Sequence, residues 1–177
     1  MKKFVIYFSV YVLFACNPEH SKVNNSNAVI NYEQIEKLHN DLSVIKPFNK
    51  DEIKMHGLNL YKKSVALFAD NKELNDDQLE FLFQCIAMGA EAAQMYKDAA
   101  LYFLKAQRKF PKSTNAPIYL HNRARILDDK LKDKNNARLA YEELMEIYPD
   151  HPLSINTEIY LNNAFNKSQE DILKLIQ

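Results

Sequence analysis

From Tyr32 onward apolar side chains recur three and four positions apart, the spacing of one buried face on a helix. No stretch alternates apolar and polar positions with a period of two, so the spacing predicts no strand. The expected helices run over 32–43, 50–69, 76–94, 97–110, 115–130, 134–148, 152–165 and 168–176. Start and stop residues support these segments independently. Asn49 or Asp51 can cap the second, and Asn75 with Asp76 precedes the third and offers acceptors to its free amide groups. Pro111 and Pro149 follow two others, and Ser168 with Asp171 stands ahead of the last apolar run. The expectation is an all-α domain.

A second periodicity lies above the helical one. Gly57, Tyr61, Ser64 and Phe68 have the spacing of Ala99, Phe103, Ala106 and Phe110, and it returns at Ala137, Tyr141, Leu144 and Tyr148. The copies are offset by 42 and then 38 residues. Each sets a small residue, an aromatic, a small or apolar residue and a second aromatic along one stripe of a helix. The small residue lets a neighbouring helix come close, and the aromatic fills the groove beside it. Gly89 and Ala87 are placed to do the same on the preceding helix. Self-similarity at such a period is the mark of stacked supersecondary units.

On these residues the chain resembles the tetratricopeptide repeat proteins, whose second helix in each pair carries a small residue, an aromatic, another small residue and a closing proline. Ala99-Phe103-Ala106-Pro111 and Ala137-Tyr141-Pro149 follow that order. Leu144 replaces the small third residue, and both periods exceed the usual 34 or so. The extra length is expected in loops such as Asp128 to Asn136. The resemblance covers residues 50–165, and Leu131-Lys132-Asp133 and Tyr148-Pro149-Asp150-His151-Pro152 look like phrases from short tetratricopeptide lipoproteins of Bacteroidetes. It implies a helical hairpin array of about three pairs plus a terminal helix. In that family the first helix of each pair lines a groove. With Ala87 and Ala124 as close-packing positions, the groove residues would be Gln84, Met88 and Glu91 in one pair and His121, Arg125 and Asp128 in the next.

The amino-terminal segment follows a different pattern. Lys2 and Lys3 precede an apolar run from Phe4 to Ala15 that only Ser9 interrupts, and polar residues follow at once. A membrane-spanning helix needs roughly 20 apolar residues, so this run has the length of a signal peptide core. Leu13-Phe14-Ala15-Cys16 resembles the lipobox of bacterial lipoprotein signals, with Phe14 bulkier than the usual second residue. The resemblance implies diacylglyceryl transfer to the Cys16 thiol, cleavage before it, and a lipid anchor of at least two chains, which stable membrane attachment requires. The expected divisions are a signal peptide over 1–15, the lipidated cysteine and a polar flexible tether over 16–31, and the helical domain over 32–177.

Composition narrows the chemistry further. The whole chain holds 23 basic and 23 acidic residues, and without Lys2 and Lys3 the remainder is about −2. No charge excess draws it to nucleic acid. With glycine only at 57 and 89, no Gly-rich phosphate loop exists. Cys85, the other cysteine, lies in an expected helix as a small buried apolar residue rather than a nucleophile. His20, His39, His56, His121 and His151 are scattered, without a His-x-x-x-His pair or a cysteine at ligand spacing. Asp76-Asp77 and Asp128-Asp129 fall at expected helix ends, where carboxylates sit in solvated turns.

These features predict no catalytic centre, no metal, no cofactor and no small-molecule substrate. The expected function is that of a lipid-anchored interaction scaffold of the cell envelope, on the periplasmic face of the outer membrane, binding an envelope protein or peptide in the groove of a repeat array. Two other readings stand beside it. One is an accessory subunit of outer-membrane β-barrel assembly, whose machinery includes a lipoprotein similar to tandem tetratricopeptide repeats. The other is a lipid-anchored hydrolase, which would need a deep pocket with clustered histidines and carboxylates.

Overall fold

The computed structural model describes residues 31–70 and 74–167. The signal peptide, Cys16, all of the tether before Asn31 and the helix expected over 168–176 lie outside the described residues. Within them all regular structure is helical: α1 (Tyr32–Val44), α2 (Lys50–Asp70), α3 (Asp76–Ala92), α4 (Tyr96–Lys109), α5 (Ala116–Arg125), α6 (Lys134–Ile147) and α7 (Pro152–Asn163). No described helix is long and apolar enough to cross a membrane.

The starts of these helices are set by the residues before them. Asn31 Oδ1 accepts from the Gln34 amide at 2.9 Å and closes the first turn of α1. Asn75 and Gln78 form a reciprocal capping box on α3, at 2.9 and 3.2 Å. At α2 the Asn49 carbonyl accepts the Ile53 amide while its side-chain amide donates to Glu52 Oε2 at 2.7 Å. Asp133 caps α6 through the Asn136 amide, and His151 Nδ1 accepts from the Leu153 amide ahead of α7. Gln94, at φ 64°, ends α3: Met95 donates to the Ala90 carbonyl at 2.8 Å and Gln94 to that of Glu91 at 2.9 Å. That pair of bonds is a Schellman turn, which reverses the chain into α4.

Each helix packs chiefly on the next, and α1 also reaches α3 as α5 reaches α7. The resulting core runs through Ile35, Leu60, Leu82, Ile86, Phe103 and Ile126, with a second cluster around Ala124, Ala137, Tyr141 and Phe165. The repeated stripe lies in these interfaces. Gly57, Ser64, Ala99, Phe103, Ala106, Ala137, Tyr141 and Leu144 are buried, and Tyr61, Phe110 and Tyr148 are half-buried. Tyr61 donates to Asp98 Oδ2 at 3.0 Å, and the Tyr148 hydroxyl donates to the Pro111 carbonyl at 2.9 Å. Phe68 is the exception at 38% exposed, its ring 5.2 Å from that of Phe83.

The expected loop from Asp128 to Asn136 is not a loop over most of its length. A π-helical turn, Ile126–Lys130, continues α5, and α6 already begins at Lys134. The extra residues are absorbed by widening: Leu131 donates to the Ile126 carbonyl at 3.0 Å and Asp133 to that of Leu127 at 2.8 Å. Lys132 takes the reversal at φ 57°. Ile126 and Leu127 stay buried, so the apolar face of α5 runs through the turn rather than ending before it.

Candidate functional site

The π-helical turn separates two neighbouring aspartates. Asp128 points inward and is 1% exposed, with Lys134 Nζ at 2.5 Å from Oδ1 and the Tyr160 hydroxyl donating to Oδ2 at 2.5 Å. Asp129 is exposed and lines a pocket. Asp128 therefore corrects the expectation of a solvated, groove-facing carboxylate: it fastens α5, α6 and α7 together from beneath.

Above it lies a pocket of about 210 Å³. His121 and Arg125 come from α5, Asp129 from the π-helical turn, Tyr141 from α6, and Asn156, Thr157 and Tyr160 from α7. The rings of Tyr141 and Tyr160 meet edge to face, 5.6 Å between centroids. Both phenols are pushed above the ordinary tyrosine range, by burial first and then by Asp128, so they remain protonated donors. Burial, followed by the neighbouring Arg125 charge, holds His121 below the ordinary histidine range, and its ring is neutral at pH 7. Thr157 is 2% exposed, and its buried hydroxyl oxygen has no hydrogen-bond partner among the described residues. Such an unpaired group is uncommon in a folded interior.

A second, larger hollow of about 440 Å³ lies where the end of α1 and the start of α2 face the end of α3 and the start of α4. Leu42, Ile45, Ile53 and Met88 give it apolar walls, and Glu91 and Lys130 stand at its edge. Glu91 belongs to this hollow and Arg125 to the smaller pocket, and the two side chains join at 2.6 Å. Their ion pair is the partition between the two.

Of the six residues expected to line a groove, Met88, Glu91, His121 and Arg125 line one or other of these spaces. Gln84 instead accepts from the Tyr119 hydroxyl at 3.3 Å and turns its amide toward Met88 Sδ. Asn156, Thr157 and Tyr160 were not expected. Asn and Thr are weak helix formers in the middle of α7, between the apolar Ile155 and Ile159, and that placement is the signal that marks them. Cys85 is fully buried, and burial pushes its thiol up to about 12, which leaves it un-ionised and inert at neutral pH. Among the described residues no three His, Cys, Asp or Glu side chains are grouped to hold a metal ion.

The chain matches no protein-family model, no curated protein and no solved structure.

Proposed function

We propose that this chain is a lipid-anchored interaction module of a bacterial cell envelope, on the periplasmic face of the outer membrane. In this reading α1/α2, α3/α4 and α5/α6 are three tetratricopeptide-like pairs, and α7 is the terminal helix. The first helices and α7 carry the face that holds a partner peptide or protein. The observation that carries the reading is the pair of hollows parted by Glu91 and Arg125, lined from α1, α3, α5 and α7 together with Lys50 and Ile53 of α2, Tyr96 of α4 and Tyr141 of α6. Other side chains of α4 and α6, such as Lys105 and Glu142, are exposed. The Leu13-Phe14-Ala15-Cys16 box supports the anchor.

Photo-crosslinking tests both halves. A crosslinking side chain at Met88 or Asn156 in the lipidated protein should trap a discrete envelope partner, and one at Lys105 or Glu142 should not. Equal trapping from both sets would reject the binding face. Labelled fatty acid should enter the wild-type chain and fail to enter Cys16→Ala, and incorporation into that variant would reject the anchor.

A further inference from the structure

We infer that the pocket between α5 and α7 takes a primary ammonium group, the side-chain end of a lysine on the bound partner. The inference rests on the partner-binding reading of that face and adds the chemistry of one subsite.

The argument begins with charge. Two charged groups line the pocket, Arg125 and Asp129, and Arg125 is already engaged by Glu91. Asp129 lines the pocket and has no ion-pair partner among the described residues. Arg125 stands four residues before it, a spacing at which opposite charges on a regular helix commonly pair. Here the π turn intervenes and Arg125 reaches across to α3 instead, leaving the carboxylate free.

The uncharged lining agrees with a cation. An ammonium has three donors and no acceptor. Asp129 supplies a carboxylate and Asn156 an amide oxygen from the lining, and the Thr157 hydroxyl oxygen, without a partner among the described residues, is buried behind it. Tyr141 and Tyr160 add two aromatic rings at a steep angle, which favour both an aliphatic stem and a positive charge. An anion would meet the Asp129 carboxylate, with Arg125 already paired to Glu91. An apolar group would take water from the Asp129 carboxylate and give it no partner in return, which is unfavourable for a charged acceptor.

The test uses the full-length lipidated chain in detergent micelles, isotope-labelled for amide shifts, with blocked single amino acids as probes. N-acetyl-lysine methylamide should give saturable shifts at Asp129, Asn156 and Thr157. Asp129→Asn should weaken that binding at least tenfold with no change in the thermal melt. N-acetyl-norleucine methylamide and N-acetyl-glutamate methylamide should give no saturable shift there. No saturable shift with the lysine probe, or equal shifts with either of the others, would overturn the assignment. Crosslinking from Met88 reads the partner face separately. A chain that traps a partner while its pocket ignores the lysine probe sinks this inference and leaves the broader one standing.

Discussion

Gly89 meets Gly57 backbone to backbone where α3 crosses α2. A Cβ added at Gly89 would lie 2.7 Å from the Tyr61 amide nitrogen and 2.9 Å from the Gly57 carbonyl oxygen. One added at Gly57 would lie 2.5 Å from the Ala92 Cβ. Neither obstacle is the far end of a movable side chain, so the helices themselves would have to separate. Gly89→Ala should therefore destabilise the fold despite a helix-propensity gain of about 1 kcal/mol. Overpacking in a tight interface typically costs about 1–3 kcal/mol, which leaves a net loss. Urea titration reads the sign, and a variant more stable than wild type would mean that the crossing is looser than described.

That contact was legible in the sequence because glycine in a helix interior needs a reason, and the stripe of Gly57, Ala99 and Ala137 supplied one. The start of α3 was legible for the same kind of reason, since Asn75 uses its own side chain to begin the helix it precedes, whereas Asn31 and Asp133, which do the same for α1 and α6, were not singled out in the sequence. The pocket was not. Asp128-Asp129 at a helix end has the composition of a solvated turn, and nothing in the two letters distinguishes inward from outward. Only the π turn does that, and it depends on Ile126 and Leu127 being drawn into a core built by other helices. The α7 lining was hidden likewise, since Asn156 and Thr157 acquire a partner surface only when α7 folds back on α5.

The Asp128 cluster predicts an asymmetry. Lys134→Met removes the counter-charge and leaves a carboxylate buried with the Tyr160 hydroxyl alone. Asp128→Asn keeps an acceptor for Tyr160 and leaves Lys134, which is 45% exposed, free to turn to water. Stranding a buried group is the more damaging act, by about 1–3 kcal/mol and more for a charge. Lys134→Met should thus melt at the lower temperature of the two. The reverse order would show that Asp128 does not need its ammonium.

His121 makes part of the stability depend on pH. Its folded-state value is lowered, chiefly by burial and then by Arg125, whereas the unfolded imidazole takes up a proton near pH 6.5. Between those two values the unfolded chain binds more protons, so stability rises with pH and falls on acidification from 6.5 toward the folded value. Below that value both states are protonated and the loss stops growing. Comparing urea midpoints at about pH 7.5 and pH 5.5, within the range where histidine titrates, His121→Gln should lose less stability than wild type. The difference between the two proteins removes the contribution of the other titrating groups. Equal losses would mean that His121 titrates alike in both states.

Packing and recognition separate most clearly at Phe103 and Arg125. Phe103 is 1% exposed and stacks on Tyr119 with 6.3 Å between ring centroids. Truncating it to Ala leaves a cavity in the main cluster, and such losses run to about 3–5 kcal/mol. In a chain of this size that lowers the melting temperature by on the order of 10 °C. Tyr141→Ala should be damaging too, but Tyr141 also lines the pocket, so its loss would mix stability with binding. Arg125 offers the contrast: its side chain is 31% exposed and its bond to Glu91 is partly solvated. Exposed pairs contribute about 0.2–1 kcal/mol, so Arg125→Ala should move the melt by a few degrees at most. It opens the partition between the two hollows, and partner trapping from Asn156 should fall while the fold persists. An Arg125→Ala protein as unstable as Phe103→Ala would make the Glu91 bridge a structural tie between α3 and α5, and the binding face would lose its central support.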